Sequence, residues 1–269
     1  SGEEWWCQGY SEPGSGSDLG SLRTTGELHG DKYIVNGQKT WTTQAQWADV
    51  MFCLVRTGQS GKKQDGISML LIDMHHPGVE VRPIITIDGG GQEINEVWLQ
   101  DVEVPVENLV GEEGRGFRYI LSGMNAERIL IAAECIGDAK WFIEKASHYA
   151  TERSVFGRPI GQNQGIQFPI ARAYSQMRAA ELMLAESNRL YEAGENPGEE
   201  ANLAKLLCAD ASWAAAEICV QTFGGFGFAE EYDVERKFRE ARLYQVAPIS
   251  TNLILSYVAE HVLDLPRSY

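Results

Sequence analysis

Cys7-Gln8-Gly9-Tyr10-Ser11-Glu12-Pro13-Gly14-Ser15-Gly16-Ser17-Asp18 is followed, about one hairpin later, by Trp41-Thr42-Thr43. The first segment reads as a strand that ends in a Ser-Glu-Pro turn and opens into a loop of glycines and serines. Such a loop leaves backbone N–H groups open to a ligand and puts no bulky side chain in the way. The second segment sets a flat apolar ring beside small hydroxyls. Together they suit a planar heterocycle that carries carbonyls and ring nitrogens.

Outward from this pair, the chain reads as β structure. Residues 22–27 and 32–36 alternate and break at His29-Gly30-Asp31. Asn36-Gly37 predicts a hairpin turn, with residues 38–43 as the return strand. Residues 50–56 and 67–74 are apolar runs bounded by turn chemistry at Ser60-Gly61 and Pro77-Gly78. Two more strands fit residues 79–87 and 93–104. Short, regularly spaced strands of this kind predict an antiparallel barrel or sandwich over residues 1–110.

The texture changes at Gly111-Glu112-Glu113-Gly114. Over residues 117–150 the apolar positions recur at helical spacing, among them Ile120, Leu121, Leu130, Ile131, Ile136 and Phe142. Further helices are predicted over 164–192, 199–222, 234–242 and 249–263, the last with Ser250 or Thr251 near its start as a cap. Residues 111–269 therefore read as an up-down helical bundle. The fold class is α+β, a β domain followed by a helical one.

The chain has 269 residues, 43% hydrophobic and 23% charged, an ordinary globular mix. A formal net charge of -15 argues against nucleic acid or an anionic membrane as partner, and no apolar run is long enough to span a bilayer. A polyanionic small ligand stays open, because a few local arginines outweigh a global field. Five scattered cysteines lack metal-ligand spacing and fit a reducing compartment, the cytoplasm or, in a eukaryote, the mitochondrial matrix. The histidines form no metal pattern either.

The Tyr10–Asp18 and Trp41–Thr43 segments resemble the flavin-binding signature of the acyl-CoA dehydrogenase family. Five further segments match that family in order and at similar spacing, so the resemblance covers nearly all of the chain. It implies bound FAD, an acyl-CoA substrate, electron transfer flavoprotein as oxidant, and a homodimer or homotetramer active in fatty acid metabolism. Tyr10 and Ser11 sit where the family hydrogen-bonds the flavin's pyrimidine edge. Trp41 and Thr43 match the pair that covers the ring and reaches its reactive nitrogen. Ser17 matches a serine near cofactor and CoA phosphates. Thr151-Glu152-Arg153-Ser154-Val155-Phe156-Gly157, with Gln164, matches a segment that in the family binds the adenosine half of the neighbouring subunit's FAD, as does Gln221 with Gly224 and Gly225. An arginine fork beside an aromatic ring suits a pyrophosphate and an adenine. Val155 departs from the family's threonine there. By itself, Gly224-Gly225-Phe226-Gly227 also reads as a helix end and turn. Ser250 and Asn252 complete the cofactor residues that the resemblance implies.

Removing the α-proton of a thioester requires a base, usually a carboxylate whose pKa an apolar pocket raises. Many family members carry that Glu just after a Tyr-Gln segment. Here the segment is Tyr244-Gln245-Val246-Ala247-Pro248, and Pro248 occupies the Glu position. Isovaleryl- and long-chain acyl-CoA dehydrogenases instead place the Glu on the long helix, just before an arginine. This chain has Met124-Asn125-Ala126-Glu127-Arg128 there. Glu127 is the expected base, set on an apolar face between Gly123, Met124, Leu130 and Ile131. The bland alternative is a Glu paired with an arginine of a partner helix. Asn125 and Arg128 are expected at the substrate, or in local structure, and only Arg128 matches a motif position.

The reading is thus an acyl-CoA dehydrogenase. The alternatives are an oxidase or flavin monooxygenase on the same fold, or a non-catalytic FAD-binding subunit. In the family a helical domain precedes the β domain, whereas this sequence opens just before the first flavin-binding strand. A fragment, a separate piece and a chain without that domain are the alternatives.

Overall fold

A computed structural model describes residues 2–59, 61–89 and 93–268. The chain divides into two compact units, Ser1–Ser122 and Gly123–Tyr269. Among the described residues no helix is long and apolar enough to cross a membrane.

The first unit is a curled seven-stranded sheet: β1 (Trp6–Gly9), β2 (Thr25–His29), β3 (Lys32–Thr43), β4 (Val50–Arg56), β5 (Ile67–Asp73), β6 (Val79–Pro83) and β7 (Ile94–Pro105). The strand order is β1-β4-β2-β3-β7-β6, with β5 on β4. Four pairings are antiparallel, whereas β1 and the tip of β2 run parallel to β4, so the sheet is mixed. Alternation decides which face is buried. On β3, Tyr33 and Val35 point into a core shared with Met51, Val55, Leu70 and Val97.

Asn36-Gly37 is not a hairpin turn. β3 runs straight through it, and the two-residue turn falls at Gly30-Asp31, where Gly30 has φ 68° and His29 pairs with Lys32. The extra residue sits on the neighbouring strand. β7 bulges at Asp101 (φ 49°) opposite Asn36, and the Asn36 amide bonds it from both ends. Asn36 Nδ2 donates to Asp101 Oδ1 at 3.0 Å, and the Asp101 N–H donates to Asn36 Oδ1 at 2.8 Å. Gly37 is required for a different reason than a turn: a Cβ there would lie 2.4 Å from Thr24 Oγ1. A second register shift, between Lys39 and Thr42, places one extra β3 residue against β7. Trp41 takes that position with φ 60°. Ser60, half of an expected turn, lies outside the described residues.

The helical elements are α1 (Gly116–Glu152), α2 (Gln164–Glu192), α3 (Gly198–Phe223), α4 (Val234–Ala241) and α5 (Thr251–Tyr257). A small hairpin of β8 (Ser154–Val155) and β9 (Arg158–Pro159) follows α1. Ile129, Ala132, Ile136, Ala139, Ala146 and Ala150 form the buried stripe of α1, while Leu121 and Leu130 are exposed. Ile120, Ala132, Ile136 and Phe142 of the expected stripe are buried, and Leu121 and Leu130 are not. Small residues between the large ones let backbones approach closely, as the buried alanines of α3 also do. The Ser250 hydroxyl accepts the Leu253 N–H and caps α5.

Candidate functional site

In the first unit the structure brings the two opening segments together. β1 ends at Gly9, and the chain then closes a tight loop in which the Glu12 and Ser15 backbones bond each other. The Thr40 N–H donates to the Ser11 carbonyl at 2.9 Å, so Ser11 lies beside the end of β3. The Tyr10 ring meets Phe52 edge-on at 5.7 Å. At the bulge, Thr40 and Thr42 turn inward while Trp41 and Thr43 turn outward, leaving the Trp41 indole 61% exposed. A bulge beside a site commonly re-aims one side chain. Here it presents an aromatic ring to solvent. Ser17 is exposed farther along the loop, and Ser15 Oγ ties the loop to the Asp18 carbonyl.

Sequence reasoning missed what holds these segments. Lys39 is fully buried, with Nζ 2.8 Å from Glu12 Oε1 and 3.2 Å from the Tyr10 carbonyl. Glu12 also accepts the Arg23 and Thr24 N–H groups. Burial would raise the Glu12 carboxyl, but the Lys39 ammonium and these donors together hold it below its ordinary pKa. The signal was available: alternation from Tyr33 and Val35 puts Lys39 on the buried face.

In the second unit an open groove of about 830 Å³ is lined by Arg153, Phe156, Gly224 and Gly225, all expected there. Arg158, Asn163, Tyr149 and Phe226 join them unforeseen. The Arg153 guanidinium lies 5.8 Å from the centre of the Phe226 ring, and Phe156 is fully exposed with φ 52°. Arg158 Nη2 donates to Asn163 Oδ1 at 2.7 Å. Tyr149 stacks on Phe223 at 4.0 Å, and both line the groove. Gln164 and Gln221 are exposed and do not line the groove. Arginines and aromatic faces around open glycine backbone fit a nucleotide's phosphates and base. Asn252 is exposed on α5, beside the capping Ser250.

Glu127 is half-buried on α1. Burial raises its pKa, opposed by the neighbouring Arg128. Among the described residues no ion pair within 4.0 Å engages its carboxylate. Its face is more open than expected, with Leu130 65% exposed. Asn125 and Arg128 bond each other, Arg128 Nη1 donating to Asn125 Oδ1 at 2.9 Å, while Arg128 Nε is buried without a partner.

The first unit is a curled sheet with an outward-facing aromatic, and the second carries an arginine-lined groove between helices. Residues 7–102 match the acyl-CoA dehydrogenase middle domain, and residues 114–263 match the acyl-CoA dehydrogenase C-terminal domain. The chain belongs to the acyl-CoA dehydrogenase family, a family of flavoproteins. Cyclohexane-1-carbonyl-CoA dehydrogenase of Geobacter metallireducens is 34% identical over 254 residues, covering 94% of this chain and 66% of that protein. An acyl-CoA dehydrogenase of Bacillus subtilis is 37% identical over 247 residues, covering 91% and 65%. The crystal structure of the Geobacillus kaustophilus acyl-CoA dehydrogenase is similar with a TM-score of 0.95 at 30% identity, covering 98% of this chain and 70% of that one. The chain spans about two thirds of the length of the curated relatives it matches.

Proposed function

We propose that this chain works as an FAD-dependent acyl-CoA dehydrogenase that introduces a double bond between the α and β carbons of an acyl-CoA thioester. The observation that carries this reading is Glu127, a half-buried carboxyl whose pKa burial raises and whose carboxylate makes no ion pair within 4.0 Å among the described residues. A carboxylate in that state is suited to take a weakly acidic proton near neutral pH. The names of the relatives support a CoA thioester as substrate class.

FAD, when bound, supplies the acceptor for the β-hydride. The protein's residues do the rest. Tyr10 and Ser11 would hold the flavin's pyrimidine edge, Trp41 would cover the ring, and Thr43 would offer its hydroxyl to the ring nitrogen. The groove around Arg153, Phe156, Gly224 and Gly225 would take the adenosine half of a neighbouring subunit's FAD, and Ser17 would serve the phosphates. The Glu127 carboxylate takes the α-proton. Arg128, held by Asn125, keeps a positive charge beside it that limits how far burial raises its pKa. In this reading the working form is a homodimer or homotetramer, and electron transfer flavoprotein reoxidises the cofactor.

Stopped-flow bleaching of FAD by acyl-CoA tests the assignment. Glu127→Gln keeps size and hydrogen-bonding ability but removes the base. It is expected to keep FAD while flavin reduction slows by about 10²–10⁴-fold. Reduction at the wild-type rate would place the base elsewhere.

A further inference from the structure

Glu12 and Lys39 take no part in the chemistry above, yet they form the most enclosed ion pair among the described residues, at 8% and 0% exposure. Their further bonds reach the Tyr10 carbonyl beside Ser11 and the Arg23 and Thr24 N–H groups ahead of β2. Lys39 Nζ reaches Glu12 Oε1 at 2.8 Å and the Tyr10 carbonyl at 3.2 Å. Glu12 Oε2 accepts from the Arg23 N–H at 2.6 Å, and Oε1 accepts from the Thr24 N–H at 2.9 Å. Glu12 directly follows Ser11, and Lys39 directly precedes the register shift that turns Trp41 outward. Between them the Thr40 N–H donates to the Ser11 carbonyl.

A buried ion pair contributes little to stability for what its desolvation costs, and apolar residues of equal volume often do as well. What it supplies that an apolar pair does not is direction, through charge-assisted bonds of fixed length. All the acceptors here are backbone or carboxylate atoms of the Tyr10–Glu12 stretch, whose Ser11 carbonyl accepts the Thr40 N–H next to Trp41. We propose that Glu12 and Lys39 are a positioning pair for the bound flavin ring, locking the backbone at Tyr10-Ser11 against the backbone at Thr40-Trp41 so that the ring-edge contacts and the indole cover keep one spacing. The pair acts through Ser11 and Trp41, so this assignment rests on the reading of those residues as flavin contacts.

FAD titration of the full chain, with visible circular dichroism of the bound flavin at saturation, tests it on wild type, Glu12→Gln, Lys39→Met and the double variant. Each single change is expected to raise the FAD Kd by about tenfold or more, since small misplacements of a positioned group carry penalties of that order. The dichroism of the saturated flavin should change shape in each. The double variant, free of buried charge at either end, should regain thermal stability without regaining the wild-type spectrum. A role in stability alone predicts a lower Tm with wild-type dichroism at saturation, and that result overturns the proposal. If Lys39→Met does not fold, Glu12→Gln, which keeps volume and one acceptor, decides on the same readouts. Wild-type protein that takes up no FAD overturns the flavin reading and the proposal with it. Wild-type protein that binds FAD, alongside a Glu12→Gln variant with the same Kd and spectrum, overturns the positioning role alone.

Discussion

Trp41 stands at φ 60°, a conformation that costs a bulky residue about 1–3 kcal/mol, and its ring is mostly exposed. Little packing offsets that cost within the first unit. Trp41→Gly should therefore raise the unfolding free energy by about 1 kcal/mol in urea titrations, through relief of strain. The same change should weaken FAD binding. A variant both less stable and unaltered in FAD affinity would contradict the idea that the residue is held for a ligand. Glu127 belongs to the same scale. With its pKa raised by burial, the acid limb of flavin reduction should lie above the ordinary carboxylate range, and Glu127→Gln should abolish that limb. The sign for stability follows: a folded-state pKa above the unfolded value favours folding while the group is protonated, and that contribution fades as pH rises through the folded pKa. At this scale the sequence is a partial guide. Trp41 and Arg153 stand out by residue type and spacing, but the Glu12–Lys39 pair shows only when strand alternation is followed through to which face is buried.

Between α4 and α5 lies the stretch from Tyr244 to Ile249, and Lys205 of α3 holds both its ends. Its ammonium, fully buried, donates to the Tyr244 carbonyl at 2.6 Å and the Ile249 carbonyl at 2.7 Å. Burial lowers its pKa to about 8 from an ordinary 10.5. Between those values the unfolded chain binds a proton that the folded chain lacks. This group therefore makes the unfolding free energy climb as pH rises from about 8 to 10.5, by up to about 3 kcal/mol. Lys205→Met should remove that slope and, at pH 7, cost about 2 kcal/mol by leaving two carbonyls without a donor. Urea titrations of both proteins at pH 7, 8 and 10 measure it. A wild-type slope retained in the variant would show that the pH dependence has another source. Elements were legible where a period ran long. α2 falls on the residues its spacing marks, and β4 on its apolar run. Asn36-Gly37 misled because its turn chemistry is real but local. The cross-strand bonds of Asn36 to Asp101 use the same residue to stabilise a bulge in the neighbouring strand. On α1 the expected Ile120, Ile136 and Phe142 are buried, but Leu121 and Leu130 are not, because alanine and cysteine fill out the stripe and hydrophobicity alone ranks leucine above them.

The two units carry separate cores, one of strand side chains and one dominated by alanines and cysteines of the helices. All five cysteines are buried, and desolvation lifts their thiols, Cys53 to about 11 and Cys7, Cys208 and Cys219 to about 12. Native protein at pH 8 should leave all five unmodified by a thiol-specific disulfide reagent, and denatured protein should yield five thiols. Rapid modification of any of them in the native state would contradict their burial. The order of the sheet has a further consequence, for the kinetics of folding. β1 finds its place beside β4, Trp6 against Val50, and β3 pairs with β7, Lys32 against Pro105. Each contact closes a long loop whose entropy is lost before the pairing returns anything. The helical unit is built largely from neighbours along the chain, α2 against α3 above all. Refolding followed by far-ultraviolet dichroism should therefore show helix arriving ahead of the protection of β3 and β7 amides from hydrogen exchange. During that interval the apolar edges of unpaired strands stay open to other chains, so yield on refolding should fall as protein concentration rises.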